Sequence, residues 1–103
     1  MAAEANELVH QPLRLKIMAA LNGLSVRESM EFTRLKSVVE ATDGNLGAHL
    51  ATLEQAGYIR IDKDFVGKKP RTRVAMTRDG RKALVQHVAY LRDILEGVGA
   101  VGT

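Results

Sequence analysis

Apolar positions recur along this chain with two periods, and the change of period divides it. From Gln11 to Asn22 the spacing is helical: Leu13, Ile17 and Leu21 stand four apart, and Ala20 and Leu24 widen the stripe. Pro12 suits a first helical turn, where its missing N–H is not needed, and Gly23 suits a stop. Leu15 and Met18 fall off the stripe, which points them towards a further helix or another subunit. Glu28–Phe32 reads as a short extended piece. A second helix is predicted over about Thr33–Ala41, with Thr33 at its start and Leu35, Val38 and Val39 turned inward. Thr42, Asp43 and Gly44 carry turn and capping chemistry. A third helix is predicted over about Asp43–Ala56, and Gly57 stops it.

The period then shortens to two. Tyr58–Phe65 mixes β-branched and aromatic residues with charge, and Arg71–Met76 alternates polar with apolar. Gly67-Lys68-Lys69-Pro70 joins them as a turn, so the pair reads as an antiparallel hairpin with a basic tip. Strict alternation puts Arg71, Arg73 and Ala75 on one face and Val74 and Met76 on the other. Thr77 caps a last helix, predicted over about Arg78–Glu96, with Gly80 a mild defect in its first turn. Leu84, Val88, Leu91, Leu95 and Val98 follow at spacings of four, three, four and three, which is the seam of a helix that pairs with another. Val85 and Ile94 broaden that surface. The tail Gly97–Thr103, with three glycines, is expected to fray.

The pattern thus predicts a mainly α fold with a small β-hairpin, in a single domain over residues 1–103. Its core spans about 8–77, and a dimerisation helix spans about 78–96. A length of 103 residues fits one domain. Only 4% of residues are aromatic, so the core is aliphatic. The absence of cysteine excludes disulfides, thiolate metal sites and cysteine nucleophiles, and fits a reducing cytoplasm. No apolar run approaches the ~20 residues of a membrane span. Met1–Gln11 carries Glu4 and Glu7 and lacks the pattern of a secretory leader.

Charge is uneven. The net charge is +3, yet residues 63–82 alone carry +6 and the rest −3. Such a concentration is the footprint of a phosphate-backbone binder, although a solvated basic face would explain the charge alone equally well. The histidines His10, His49 and His87 form no local ligand pair, so neither metal nor cofactor is expected. No nucleophile–base arrangement or phosphate-binding loop stands out, which points to binding rather than catalysis.

The third helix is the candidate reader of DNA. Leu46, Leu50 and Leu53 share its inner face. The opposite face carries Gly44, Asn45, Ala48, Thr52 and Gln55, with His49 at its border. These are small or hydrogen-bonding side chains of the kind an element entering the major groove needs. Thr33 and Arg34 open the preceding helix and are placed to touch phosphates. Lys68, Lys69, Arg71 and Arg73 supply the hairpin's positive charge.

Three helices followed by a basic hairpin have the layout of a winged helix-turn-helix. Residues 8–21 look like the opening helix of ArsR-like and MarR-like winged-helix repressors. Asn45–Ile59 is similar to their recognition helix, most tellingly in the closing Leu50-Ala51-Thr52-Leu53-Glu54-Gln55-Ala56-Gly57-Tyr58-Ile59. Thr77-Arg78-Asp79-Gly80-Arg81 resembles the start of the post-wing helix in MarR-like regulators. The resemblance implies a homodimeric transcription factor, a repressor, that binds double-stranded operator DNA. It assigns no effector. The other reading is a winged-helix protein-interaction module, for which the basic wing would have no use.

Overall fold

The computed structural model describes residues 5–102, with side chains as far as Gly97. In chain order the elements are α1 (Glu7–His10), α2 (Pro12–Asn22), β1 (Met30–Glu31), α3 (Phe32–Val39), α4 (Asp43–Gln55), β2 (Ile59–Val66), β3 (Lys69–Met76) and α5 (Arg78–Gly102). The sheet is antiparallel with order β1-β3-β2.

α1 lies ahead of the predicted start. Asn6 caps it, its side chain accepting the N–H groups of Leu8 and Val9 at 3.1 Å each. Gln11 then takes an extended conformation (ψ 130°), as a residue before proline prefers, and its side chain caps α2 through the Arg14 N–H at 2.8 Å. α2 is the central helix, packed against α1, α3, α4, α5 and β3. It is therefore buried over a wide arc. Met18, expected to touch a further helix or another subunit, lies in the core with Ile17 and Leu21, where α2 meets its neighbouring helices.

Three local expectations shift. The strand after α2 shortens to Met30–Glu31, because Glu28 closes a turn by accepting the Ser25 N–H at 2.9 Å and Phe32 already starts α3. α3 ends at Val39, where Glu40 takes a left-handed φ of 55°. Val38 is 54% exposed, since the core meets only the arc carrying Leu35 and Val39. The hairpin strands run closer to the tip than predicted, leaving a two-residue turn, Gly67-Lys68, with Gly67 at φ +64°. Pro70 pairs with Phe65, where β3 has no β1 neighbour to need its missing N–H.

Gly80 has a different role from the expected defect. A Cβ there would sit 2.0 Å from the Tyr58 carbonyl oxygen, so only glycine lets α5 lie this close to the start of β2. Thr77 fixes the approach: its N–H donates to the Tyr58 carbonyl (3.1 Å), its hydroxyl donates to the Gly57 carbonyl (2.6 Å) and its oxygen accepts the Gly80 N–H (3.0 Å). Arg81 donates to the Asn22 side chain at 2.8 Å and ties α5 to the end of α2. α5 also runs on to Gly102 instead of ending near Glu96; the tail holds no proline, and its glycines weaken the helical ladder without breaking it.

Candidate nucleic-acid interface

α3 and α4 form the helix-turn-helix unit. Thr42 caps α4, its hydroxyl oxygen accepting the Asn45 N–H at 3.2 Å, and Lys36 on α3 pairs with Asp43 at 2.7 Å. Leu46, Leu50 and Leu53 are buried, so the opposite arc of α4 faces outward as predicted. Gly44, Asn45, Ala48 and Gln55 are exposed there. Thr52 is half-buried and its hydroxyl donates to the Ala48 carbonyl at 3.2 Å. His49 is also half-buried: its Nδ1 lies 3.3 Å from Nη1 of Arg14 on α2, which draws the ring towards the body of the domain.

Between α4 and the hairpin runs an open groove of about 600 Å³, lined on the helix side by Gly47, Ala51 and Glu54 and on the strand side by Lys63 and Thr72. Ala51 and Glu54 were missed. The helical period contains them, since Ala51 follows Ala48 by three residues and Glu54 follows Ala51 by three. Thr33 lines a second hollow of about 410 Å³ together with Lys69 and Arg71, so the start of α3 and the wing converge. Arg34 lines a separate hollow with Glu28 and Glu31.

The wing's electrostatics differ from a simple sum of charges. Asp64 faces Arg71 across the hairpin. Arg71 holds it bidentately at 3.0 and 2.7 Å, and Arg73 adds a third bond at 3.2 Å. The hydrogen bond from Arg71 holds the Asp64 carboxyl below the usual carboxylate range; partial burial opposes this, and the charges of both arginines assist it. Two of the four wing cations are thus committed within the protein. Lys68 and Lys69, and Lys63 in the groove, are exposed and make no ion pair among the described residues. The strand register carried the sign of this pairing, because residues closing a two-residue turn fix Asp64 opposite Arg71.

The predicted seam on α5 divides. Leu84, expected at a dimer interface, is buried in its own domain, where the close approach at Gly80 lays the first turns of α5 on the core. Val88 and Leu91 are half-buried, and Leu95 is 71% exposed along with Val85 and Ile94. Every residue from Arg92 to Gly97 is exposed. The Val98 side chain lies outside the described residues. His10 and His87, kept apart by the sequence, come together at the α1–α5 contact, and no group of three or more His, Asp or Glu side chains among the described residues is placed to hold a metal ion. No helix among the described residues is long and apolar enough to cross a membrane.

Comparison with known proteins agrees with this geometry. A family model described as a winged helix DNA-binding domain matches residues 13–95. An uncharacterized protein of Methanocaldococcus jannaschii is 34% identical over 90 residues, covering 87% of this chain and 91% of that one. Among solved structures, a transcriptional regulator homologue from Pyrococcus horikoshii superposes with a TM-score of 0.80 at 28% identity, over 90% of this chain and 89% of the other. A PadR family transcriptional regulator from Eggerthella lenta gives 0.65 at 25% identity, over 91% and 88%.

Proposed function

This chain belongs to the winged helix DNA-binding domain family, and from that premise we propose that it is a homodimeric transcriptional repressor that reads a two-fold operator with α4. One observation carries the reading. The outward arc of α4 holds mainly small, hydroxyl and amide side chains, with Glu54 at the groove, and the far wall of that groove carries Lys63, which makes no ion pair among the described residues. A helix so lined can enter the major groove, where Asn45 and Gln55 pair with adenine and Ala48 meets a thymine methyl. Gly44 lets the helix start lie close to a phosphate. Thr52, with its hydroxyl turned to its own backbone, offers its methyl rather than a donor. Thr33, Arg34, Lys68 and Lys69 hold the phosphates, with Arg71 and Arg73 behind them.

The dimer rests on α5. Its residues from Arg92 to Gly97 are exposed and still present Ile94 and Leu95. An isolated helical end of this kind is marginal in water, and a second copy packed along Val85, Val88, Leu91 and Leu95 would cover it. A dimer on its operator represses by occupying the promoter. The likeness to transcriptional regulators supports the regulatory role.

The test is selection from a pool of random duplexes at moderate salt, with light scattering on the free protein. The expected result is an enriched pair of inverted half-sites about 34 Å apart, bound by a dimer that blocks transcription in vitro. Salt-sensitive binding without enrichment of any sequence would sink the proposal.

A further inference from the structure

The hairpin face that builds the core does not stop where the core stops. Ile59, Ile61, Lys63 and Phe65 lie on one face of β2, opposite Met76, Val74, Thr72 and Pro70 of β3. Ile59 and Val74 are buried, and Ile61 and Met76 are half-buried. Beyond them the face continues into water, where Phe65 is 71% exposed against an exposed Pro70. Val66 beside them is 55% exposed. Phe65 is one of only two phenylalanines in the chain, so a large share of its aromatic surface is spent at a hairpin tip. Next to this apolar tip stand Lys68 and Lys69, with no acid to satisfy them among the described residues. The arginines, the residues best suited to a narrow minor groove, are set back on Asp64.

An apolar tip flanked by unpaired cations fits a narrow slot with apolar walls and anionic rims. The DNA minor groove is such a slot: about 6 Å wide, walled by sugars and edged by phosphates, and entered by Phe and Pro in other DNA-bound proteins. Resting on the DNA-binding reading above, we infer that Phe65, backed by Pro70, enters the minor groove beside the α4 site, with Lys68 and Lys69 on the phosphates at its rims. The ring packs on the sugar walls of A·T pairs. A guanine there places its 2-amino group in the space the ring takes, so the wing discriminates by shape and exclusion rather than by hydrogen bonds.

The probe is the duplex enriched from the random pool, with the minor-groove pairs under the tip located by hydroxyl-radical footprinting. Those A·T pairs are replaced by I·C, which leaves the minor-groove edge unchanged, or by G·C, which adds the amino group. The wild type should bind the A·T and I·C duplexes alike and the G·C duplex about tenfold more weakly. Phe65→Ala should bind the A·T duplex about tenfold more weakly, lose the discrimination and keep the wild-type salt dependence. Lys68→Ala and Lys69→Ala should keep the discrimination and each flatten the slope of log affinity against log salt by about one. Unchanged affinity and preference in Phe65→Ala, with wild-type thermal unfolding, would overturn the inference alone. Weak binding to I·C would do the same, since it reports major-groove reading. A pool that yields no enriched duplex would overturn the underlying reading and this one together.

Discussion

His10 and His87 stand 77 positions apart in the sequence, yet Nδ1 of the first lies 3.2 Å from Nε2 of the second. His87 is fully buried, stacks on Tyr90 and accepts the Asn6 N–H on its Nδ1 at 3.1 Å. Its neutral form therefore carries the proton on Nε2, where it donates to His10. Asn6 in turn donates to the Tyr58 hydroxyl at 3.0 Å, so one polar chain links the cap of α1, the residue before β2 and α5.

This arrangement predicts a pH dependence. Burial, aided by the nearby charge of His10 and opposed by Glu7, pushes the pKa of His87 below its ordinary value. The folded state thus binds fewer protons at this site than the unfolded state. The stabilisation is fully present above the ordinary histidine pKa, about 6.5, and is lost as pH falls from there through the lowered folded value. Urea unfolding at pH 8 and pH 5 should show a larger loss for the wild type than for His87→Gln. Equal losses would show that His87 is not the titrating group.

Gly80 and Gly47 predict opposite responses to the same substitution. At Gly80 the new methyl meets the Tyr58 backbone, which cannot rotate away. Gly80→Ala should cost about 1–3 kcal/mol and lower Tm by several degrees. At Gly47 a Cβ meets nothing within 4 Å. Gly47→Ala should raise stability by up to about 1 kcal/mol, as alanine for glycine does inside a helix. Thermal unfolding of the two variants side by side checks both signs.

Asp64 restrains the wing's charge. Asp64→Asn keeps the shape but weakens the hold on Arg71 and Arg73, so binding to any duplex should tighten and its salt dependence should steepen by up to about two phosphate contacts. The same pairing stabilises the hairpin. With its folded pKa lowered, Asp64 contributes above its unfolded pKa, and that contribution is lost as pH falls through the folded value. Titrating DNA affinity against salt for both proteins is the direct check. An unchanged slope would mean the arginines do not reach phosphates even when freed.

Leu84 and Leu95 separate folding from assembly. Leu84→Ala removes a buried side chain and should destabilise the domain by about 2–5 kcal/mol. Leu95→Lys alters an exposed position and should leave the isolated domain intact while dissociating the proposed dimer. Sedimentation at several concentrations, paired with thermal unfolding, distinguishes the two outcomes.

The helices, the hairpin and the outward arc of α4 were legible because each repeats a period of the backbone. α1 was not, because a four-residue helix is too short to show one; its marks are Asn6 as cap and the pre-proline break at Gln11. The role of Gly80 was hidden, since a glycine in a first helical turn gives no sign of what lies 22 residues earlier. Val38 was expected inward and is exposed, because the width of a helix's buried arc depends on how many neighbours surround it. The wing's charge was countable but its disposition was not, because Asp64 bonds to two arginines only once the strands are in register.

Thr77 touches the carbonyls of both Gly57 and Tyr58 while capping α5, so the end of one helix and the start of another are bolted to a single side chain. Three hydrogen bonds brace this joint. In a pair of domains held together along α5, the separation and tilt of the two α4 helices become properties of the frame, as in a calliper locked at one setting. Under the dimeric reading proposed above, such a frame would measure the spacing of two half-sites more strictly than a flexible linker would allow, with one threonine and one glycine setting the gauge.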